Sequence, residues 1–280
     1  MPEWPDLHVL RARLATRVVG RAIVAVAVRE PVVVRATEDP AALLVGRRFV
    51  AVVHRGKLLI LALDRGVGLV VNPMLSGLLA LVPHEARTRA TTCLALALDD
   101  GTDLRYLDDT RMGKVYLLHD ATPEVAVPGF AALGPDAGAL PWDDAELAWR
   151  AKERRGTQVR NLLMDQTFIA GIGNAYADEI LWAARLHPRR TVGSLDAAEI
   201  GALRRAIGEV MAWAAREVDS AMPPELGAKP RGHLRVRGRA GTPCPRCGTA
   251  LVLRHGGVKA MHFCPSCQPN AGSGPHGAPY

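Results

Sequence analysis

The 280-residue sequence predicts an α+β fold, in which one helix and a β-sandwich are followed by a helical region and a cysteine-rich hairpin. Three patterns support this prediction. Short β-rich runs separated by turn residues fill the segment from Ala22 to about Leu118. The segment from Asp144 to Arg216 has the texture of helices, and four cysteines occur in pairs near the C-terminus. At roughly 150 residues per domain, the length indicates about two domains.

The composition is that of a folded protein without membrane contact. Hydrophobic residues make up 49% of the chain and charged residues 22%, which favours a packed core over disorder. A membrane-spanning helix needs about 18 uninterrupted apolar residues, and the best candidate, 66–82, is broken by Asn72, Pro73 and Ser76. The N-terminus lacks the apolar segment of a secretory signal. We therefore expect an intracellular, cytoplasmic protein.

The predicted elements of the first half follow in order. Residues 4–19 should form an amphipathic helix, because their apolar residues recur every three or four positions and Gly20 ends the pattern. Cys93 lies in an apolar run and is expected to be a buried core thiol. The predicted strands are Ile23–Val28, Arg48–Val53, Leu58–Leu63, Gly68–Val71, Leu78–Val82, Thr92–Leu98 and Val115–Leu118.

A segment rich in proline and glycine, 121–143, is predicted to be a linker. After it, two apolar helical stretches, Val159–Met164 and Tyr176–Ala184, flank a turn that contains two glycines. The N–H groups at such a helix start are a natural phosphate site. Asn174 at this point either caps the second helix or donates to a phosphate, and the residues alone favour the plain cap.

The four paired cysteines predict a metal site. They form a C-x2-C, sixteen-residue, C-x2-C pattern, and residues 249–263 between them have the texture of a β-hairpin. Four thiolates would close the coordination shell of one structural Zn²⁺ ion and leave no position for a catalytic water. The alternative, two disulfides, is disfavoured inside a cell. The predicted ligands are Cys244, Cys247, Cys264 and Cys267.

The net charge of +7 is not spread evenly along the chain. No Asp or Glu follows Glu225, whereas eight Lys and Arg residues do. The first 225 residues carry 27 basic and 28 acidic residues, so their net charge is −1. A cysteine hairpin within a basic tail favours a nucleic-acid partner, with a protein-binding zinc ribbon as the alternative.

Four motifs occur in order along the chain: MPEWPD at 1–6, Arg55-Gly56-Lys57, the block 165–179 with its AGIGN sequence, and the cysteine hairpin. Together they resemble the formamidopyrimidine-DNA glycosylase and endonuclease VIII family of bifunctional DNA glycosylase/AP lyases. The resemblance runs from Pro2 to Gln268. It implies that block 165–179 is a helix-two-turn-helix, that the hairpin is a zinc finger, and that the partner is damaged double-stranded DNA.

The resemblance also implies a chemistry for the N-terminus. Removal of Met1 would expose the secondary amine of Pro2, which would attack C1′ of the damaged nucleotide and form a Schiff base. Glu3 would act as the general acid/base. Lys57 would contact a phosphate beside the lesion and assist the sugar chemistry. Strand cleavage by β- and then δ-elimination would follow.

DNA contacts are implied as well. Asn174 and Lys259 would hold the phosphates that flank the lesion, with lysine at a position where the family usually has arginine. The lesion would be flipped out of the duplex, and two loops, 73–77 and 109–113, would fill the gap. Thr110 stands where the family has an arginine that contacts the orphaned base. The loop side chains implied to contact DNA are Met74, Leu75, Arg111 and Met112.

The resemblance defines a division of the chain and a function. The segment 218–241 is shorter than in the purine-lesion branch, so we expect a preference for a base other than 8-oxoguanine. The chain is expected to act as a monomer on the nucleoid, and the alternative function is a non-catalytic binder of damaged DNA with the same fold. The predicted parts are 1–120 (catalytic β-sandwich), 121–143 (linker), 144–232 (helix-two-turn-helix domain), 233–268 (zinc finger) and 269–280 (disordered tail).

Overall fold

The computed structural model describes residues 1–256 and 259–270, so the predicted tail, 269–280, lies almost wholly outside the described residues. The chain forms two compact units. The first comprises Met1–Leu133 and Ala215–Pro230, and the second Gly134–Ala214 and Arg231–Tyr280. The domain boundaries proposed from the sequence stay a prediction. Among the described residues, no helix combines the length and apolarity needed to cross a membrane.

The first unit is a β-sandwich with an N-terminal helix, as predicted. One sheet has four strands in the order β1-β7-β8-β6, and the other has five in the order β2-β9-β5-β4-β3. Only β2 and β9 pair in parallel among the strands of these sheets that the structure describes. The elements are α1 (Trp4–Val18), β1 (Ile23–Val28), β2 (Val34–Arg35), α2 (Pro40–Leu44), β3 (Phe49–Arg55), β4 (Leu58–Leu63), β5 (Val67–Asn72), β6 (Leu78–Pro83), β7 (Thr92–Leu98), β8 (Thr102–Leu107), β9 (Lys114–His119) and α3 (Pro123–Ala126).

Side chains from both sheets share one hydrophobic core, which also receives the inner face of α1. Val218, Met222 and Leu226 join the same core from late in the chain. In addition, Arg13 forms an ion pair with Asp219, with 2.8 Å between Nε and Oδ1. These contacts explain why residues 215–230 belong to the first unit.

All seven predicted strands are present, but the sequence missed β2 and β8. Strand β8 was hidden by its charges: Asp103 and Arg105 are both buried, at 5% and 4% exposure. They pair with each other at 2.9 Å, and Arg105 also donates to the backbone carbonyls of His84 and Arg87. In the sequence, the two charged residues of this buried ion pair therefore look like the polar residues of a loop.

The predicted linker, 121–143, is not a plain linker. It contains α3, and its Val127 and Phe130 are buried in a small cluster on the outer face of the five-stranded sheet. A 3₁₀ turn, Ala137–Ala139, follows in the second unit.

The second unit consists of helices and one hairpin, as predicted. Its helices are α4 (Asp144–Ala151), α5 (Val159–Met164), α6 (Asn174–Ala183) and α7 (Ala197–Ala221), the last of which ends in the first unit. Its hairpin pairs β10 (Val252–Gly256) with β11 (Lys259–Phe263). The N-cap of α6 is Gly173 and Asn174 is the first helical residue, so the interpretation of Asn174 as a cap is wrong.

Candidate active site and metal centre

The N-terminus of the first unit is buried and fixed by hydrogen bonds. Pro2 is buried and Glu3 is only 4% exposed. Glu3 is the N-cap of α1: its carboxylate accepts the backbone N–H of Asp6, and Asp6 Oδ2 accepts the backbone N–H of Glu3 at 2.8 Å. This reciprocal arrangement is a capping box, and it fixes an acidic side chain directly beside Pro2. It also gives a structural role to Asp6.

The hairpin with Lys57 lies against the same helix. Gly56 and Lys57 form the two-residue turn between β3 and β4, and Gly56 has a φ of 56°, which suits glycine. The ring of His54, near the end of β3, lies 5.5 Å from the ring of Trp4 and 5.7 Å from that of His8, in edge-on contacts. The sequence therefore folds so that the Lys57 turn starts close to the N-terminus of α1.

His54 is neutral in this arrangement. Burial, followed by the nearby His8 and Arg11, lowers the pKa of His54 to about 4. Burial and Arg11 also lower the pKa of His8. The two histidines therefore leave Arg11 as a nearby cation of this aromatic group near neutral pH.

A pocket opens beside Pro2. It is lined by the first turns of α1, by strands of both sheets and by loop 73–77, and Tyr106 forms part of its wall. Its surface is mostly apolar, and Pro2 and Asp6 lie at its edge. The pocket brings loop 73–77 next to the predicted nucleophile.

Loops 73–77 and 109–113 are tied together by the carboxylate of Asp108. This side chain accepts hydrogen bonds from the backbone of Thr110 and Gly113 at 3.1 and 2.7 Å, from the Thr110 hydroxyl at 2.9 Å, and from the Ser76 hydroxyl. Tyr106 also donates to it, at 3.4 Å. Burial acts to raise the pKa of Asp108, but these donors outweigh it and hold the pKa below its usual value. Sequence patterns gave no sign of this residue.

The side chains on these two loops differ in what they contact. Leu75 and Met112 are large apolar residues that are 52% and 46% exposed. Thr110 is exposed as well, and its hydroxyl lies 2.7 Å from that of Ser76. Arg111, at a φ of 55°, pairs with Glu30 at 2.7 Å. Met74 also has a positive φ, of 45°, and its N–H donates to the Asn72 side chain.

The turn before α6 is organised by Gln166, which the sequence analysis did not single out for a role. Its side-chain oxygen accepts the N–H of Gly171 at 3.0 Å, and its nitrogen donates to the carbonyls of Met164 and Ile172. Gly171 adopts a φ of 103°, a conformation that side chains disfavour. Asn174 stands immediately after this turn, and its side-chain oxygen accepts a hydrogen bond from Arg160 at 3.1 Å. The structure places the Lys259 backbone in β11, opposite Gly256.

The four predicted ligands come together as a metal site. The sulfur atoms of Cys244, Cys247, Cys264 and Cys267 all lie within 4.8 Å of one another, with two pairs at 3.5 and 4.0 Å. A tetrahedral ion with metal–sulfur bonds of about 2.3 Å requires sulfurs about 3.8 Å apart. The cluster therefore fits a four-coordinate structural metal.

Buried polar side chains outside the four cysteines make hydrogen bonds to this cluster. The Trp182 indole N–H donates to Cys244 Sγ at 3.4 Å. The Gln268 side chain is fully buried and bonds both the Cys264 N–H and the Leu186 carbonyl, at 2.9 and 2.8 Å. Such outer contacts orient metal ligands.

Two arginines of the basic tail stack on tryptophan side chains of helices α6 and α7. The Arg246 guanidinium lies 4.1 Å from the centre of the Trp182 ring. Arg235 lies 3.9 Å from the centre of the Trp213 ring. These cation–π contacts hold the finger against helices α6 and α7.

Known families match this arrangement. The model of the formamidopyrimidine-DNA glycosylase N-terminal domain matches residues 1–115, and that of the formamidopyrimidine-DNA glycosylase H2TH domain matches residues 133–222. The chain belongs to the formamidopyrimidine-DNA glycosylase family. Its curated relatives include the formamidopyrimidine-DNA glycosylases of Chloroflexus aggregans, 38% identical over 96% of this chain and 98% of the relative, and of Heliobacterium modesticaldum, 37% identical over 96% and 100%.

Solved structures of family members agree with the fold. The Lactococcus lactis enzyme bound to DNA with an abasic site superposes with a TM-score of 0.87 at 27% identity, covering 95% of this chain and 99% of that one. The same enzyme bound to DNA containing N7-benzyl-Fapy-dG gives 0.86 at 27% identity, over 96% and 100%. The family resemblance inferred from the four sequence motifs is thus confirmed.

Proposed function

We propose that this chain is a base-excision-repair DNA glycosylase that removes damaged bases from double-stranded DNA and then cleaves the strand as an AP lyase. Family membership supports the glycosylase activity. The observation that carries the catalytic assignment is the position of Pro2, which lines an apolar pocket while the adjacent Glu3 is fixed by the capping box.

The proposed reaction begins once Met1 has been removed. The Pro2 amine forms a bond to C1′ of the lesion, and the glycosidic bond breaks so that the base leaves with the bonding electrons, while the Glu3 carboxylate takes up the proton from the Pro2 nitrogen. Glu3 protonates O4′ as the sugar ring opens, which leaves an iminium between Pro2 and C1′. The iminium acidifies the C2′ proton, and its removal expels the 3′ phosphate; a second elimination expels the 5′ phosphate.

We assign the DNA contacts to both units. Lys57, at the turn beside α1, would bind a phosphate next to the lesion, and Asn174 and Lys259 would bind flanking phosphates. Leu75 and Met112 are exposed apolar side chains on loops joined by Asp108, which suits them to fill the gap left by the flipped base. Met74 and Arg111 would contact the DNA around this gap.

The metal is proposed to be a single Zn²⁺ with a structural role, because four thiolates in a tetrahedral arrangement favour zinc and leave no open position. When bound, it holds the finger hairpin in shape and supplies no reacting group.

Borohydride trapping tests the mechanism. Protein with Met1 removed is incubated with an abasic-site duplex and sodium borohydride, and the adduct is located by peptide mass spectrometry. We expect a covalent adduct on the N-terminal peptide, and none with protein that retains Met1. Absence of an adduct, or a Pro2→Ala variant that traps as well as the wild type, would refute the mechanism.

Glu3→Gln separates the two half-reactions. A preformed abasic site already carries an aldehyde, so this variant should still trap it while losing excision of an intact damaged base. If the wild-type protein binds the damaged duplex but forms no adduct, the result would instead support the alternative function, a non-catalytic binder of damaged DNA.

A panel of lesion duplexes identifies the preferred base, for which we propose a lesion other than 8-oxoguanine. Light scattering of the complex checks the proposed monomer.

A further inference from the structure

Arg160 is an arginine that the proposed mechanism does not use, and it is buried at 2% exposure. Its Nε donates to Asp178 Oδ1 at 2.7 Å. Its Nη2 donates both to Asn174 Oδ1 at 3.1 Å and to the backbone carbonyl of Ala260 at 3.0 Å. One guanidinium thus connects helix α5 to the first residue of α6 and to strand β11.

Asp178 completes this network from within α6. It is 1% exposed and its Oδ2 accepts from Arg237 Nη1 at 2.8 Å and from the His262 backbone N–H at 3.1 Å. Arg237 also donates to the Ala260 carbonyl, at 2.8 Å. Two arginines therefore compensate one buried carboxylate, and both hold the backbone residue that follows Lys259.

The bond to Asn174 has a specific consequence. An asparagine side chain can rotate so that its oxygen and nitrogen exchange places, and only the nitrogen can donate to a phosphate. Because Arg160 can only donate, it keeps Asn174 Oδ1 on its own side and places the NH₂ group on the other side. A phosphate contact by Asn174 depends on this orientation.

We propose that Arg160 and Asp178 are positioning residues for DNA binding: they orient the Asn174 amide and hold the Lys259 segment of β11 relative to α6. This inference rests on the proposed phosphate contacts of Asn174 and Lys259. The role requires the arginine fork, since a lysine would keep the ion pair with Asp178 but lacks the planar set of donors that reaches three acceptors.

The test measures affinity for a duplex that contains a tetrahydrofuran abasic analogue, by fluorescence anisotropy at several salt concentrations. Asn174→Ala should weaken binding by about 10- to 100-fold, the range for a hydrogen bond to a charged group. Arg160→Lys should weaken it by a comparable factor, and the double variant should be little weaker than either single one. Arg154→Lys is the matched control, because Arg154 bonds Asp165 and Thr167 rather than Asn174, and it should bind like the wild type.

Two further readouts separate positioning from a general structural defect. Metal content and melting temperature should stay close to wild type in Arg160→Lys, and the single-turnover rate at saturating DNA should be unchanged. In Arg160→Gln, which removes the charge, the slope of log affinity against log salt should also be unchanged, since a residue that touches no phosphate releases no counterion.

The outcomes distinguish the inference from the proposed function. Suppose that Asn174→Ala weakens binding relative to the wild type, as the proposed phosphate contact requires. If Arg160→Lys then binds normally, or if its effect adds fully to that of Asn174→Ala, the positioning role is refuted and the phosphate contact stands. A salt slope smaller by about 0.9 in Arg160→Gln, which removes the charge, would mean a direct phosphate contact and would also overturn it. If Asn174→Ala binds like the wild type, the phosphate contact itself is wrong.

Discussion

Replacing Asp108 with asparagine should loosen loops 73–77 and 109–113, the first of which lines the Pro2 pocket. In the wild type, Oδ2 of Asp108 accepts the Gly113 N–H and Oδ1 accepts the Thr110 N–H. An amide offers only one acceptor oxygen, so one of these N–H groups would face an NH₂ group. A lost hydrogen bond to a charged group costs about 2 kcal/mol, and the remaining bonds would lose their ionic component, for a total of about 3 kcal/mol.

Hydrogen exchange followed by mass spectrometry is the suitable assay, because unfolding of a chain with two units is not a two-state process. Amides of segments 72–78 and 108–114 should exchange roughly 100-fold faster in Asp108→Asn than in wild type. Ser76→Ala is the matched control: it removes one donor but leaves the carboxylate, and should cost only about 1 kcal/mol.

The pH dependence follows from the direction of the shift. Since the pKa of Asp108 is lower in the folded state, the stabilisation is complete above the unfolded pKa, near 3.8, and is lost as the pH falls through the folded value. The difference between wild type and variant should therefore be constant at neutral pH and shrink only below about pH 4. Equal exchange rates in these loops at pH 7 would refute the role of Asp108.

Three other predictions concern separate sites. Gly113→Ala should make core amides of the first unit exchange about 5- to 150-fold faster, equivalent to about 1–3 kcal/mol, because a Cβ at this position would overlap the Tyr106 hydroxyl. The pKa of His54 is lowered to about 4, so the unfolded state takes up a proton first and the stability of the wild type should fall as the pH drops from 6.5 to about 4. His54→Gln should abolish this loss of stability. Trp182→Phe should lower metal affinity about 10- to 100-fold in a chelator competition, because it removes the N–H donor to Cys244 and keeps the aromatic ring.

The sequence predicted the layered fold and the metal ligands because these depend on local patterns. Strand texture, turn residues and the cysteine spacing are each visible within a short window, and all four thiols meet as expected. The position of Pro2 and Glu3 at the start of α1 followed in the same way, since a helix start was predicted at this point.

Other features depend on contacts between distant segments and could not be predicted. Strand β8 was missed because the pairing that compensates its buried Asp103 and Arg105 exists only in the folded sheet. Residues 215–230 gave no sign of joining the first unit, since their partners lie in α1 and in the sandwich core. Asp108 is similar: an acidic residue in a turn is ordinarily solvated, and its donors come from another loop as well as its own.

The composition of the basic tail indicated a nucleic-acid partner, but it did not reveal that several of its arginines make structural contacts within the protein. Its arginines were expected to form a surface for nucleic acid, but Arg237 pairs with the buried Asp178. Arg235 and Arg246 stack on tryptophans and thereby help to fix the finger. Stacking leaves the positive charge in place, so these two residues still contribute to the field that attracts DNA. Arg235 and Arg246 therefore stabilise the finger and also belong to the cationic excess of the tail, without any need for a phosphate contact of their own.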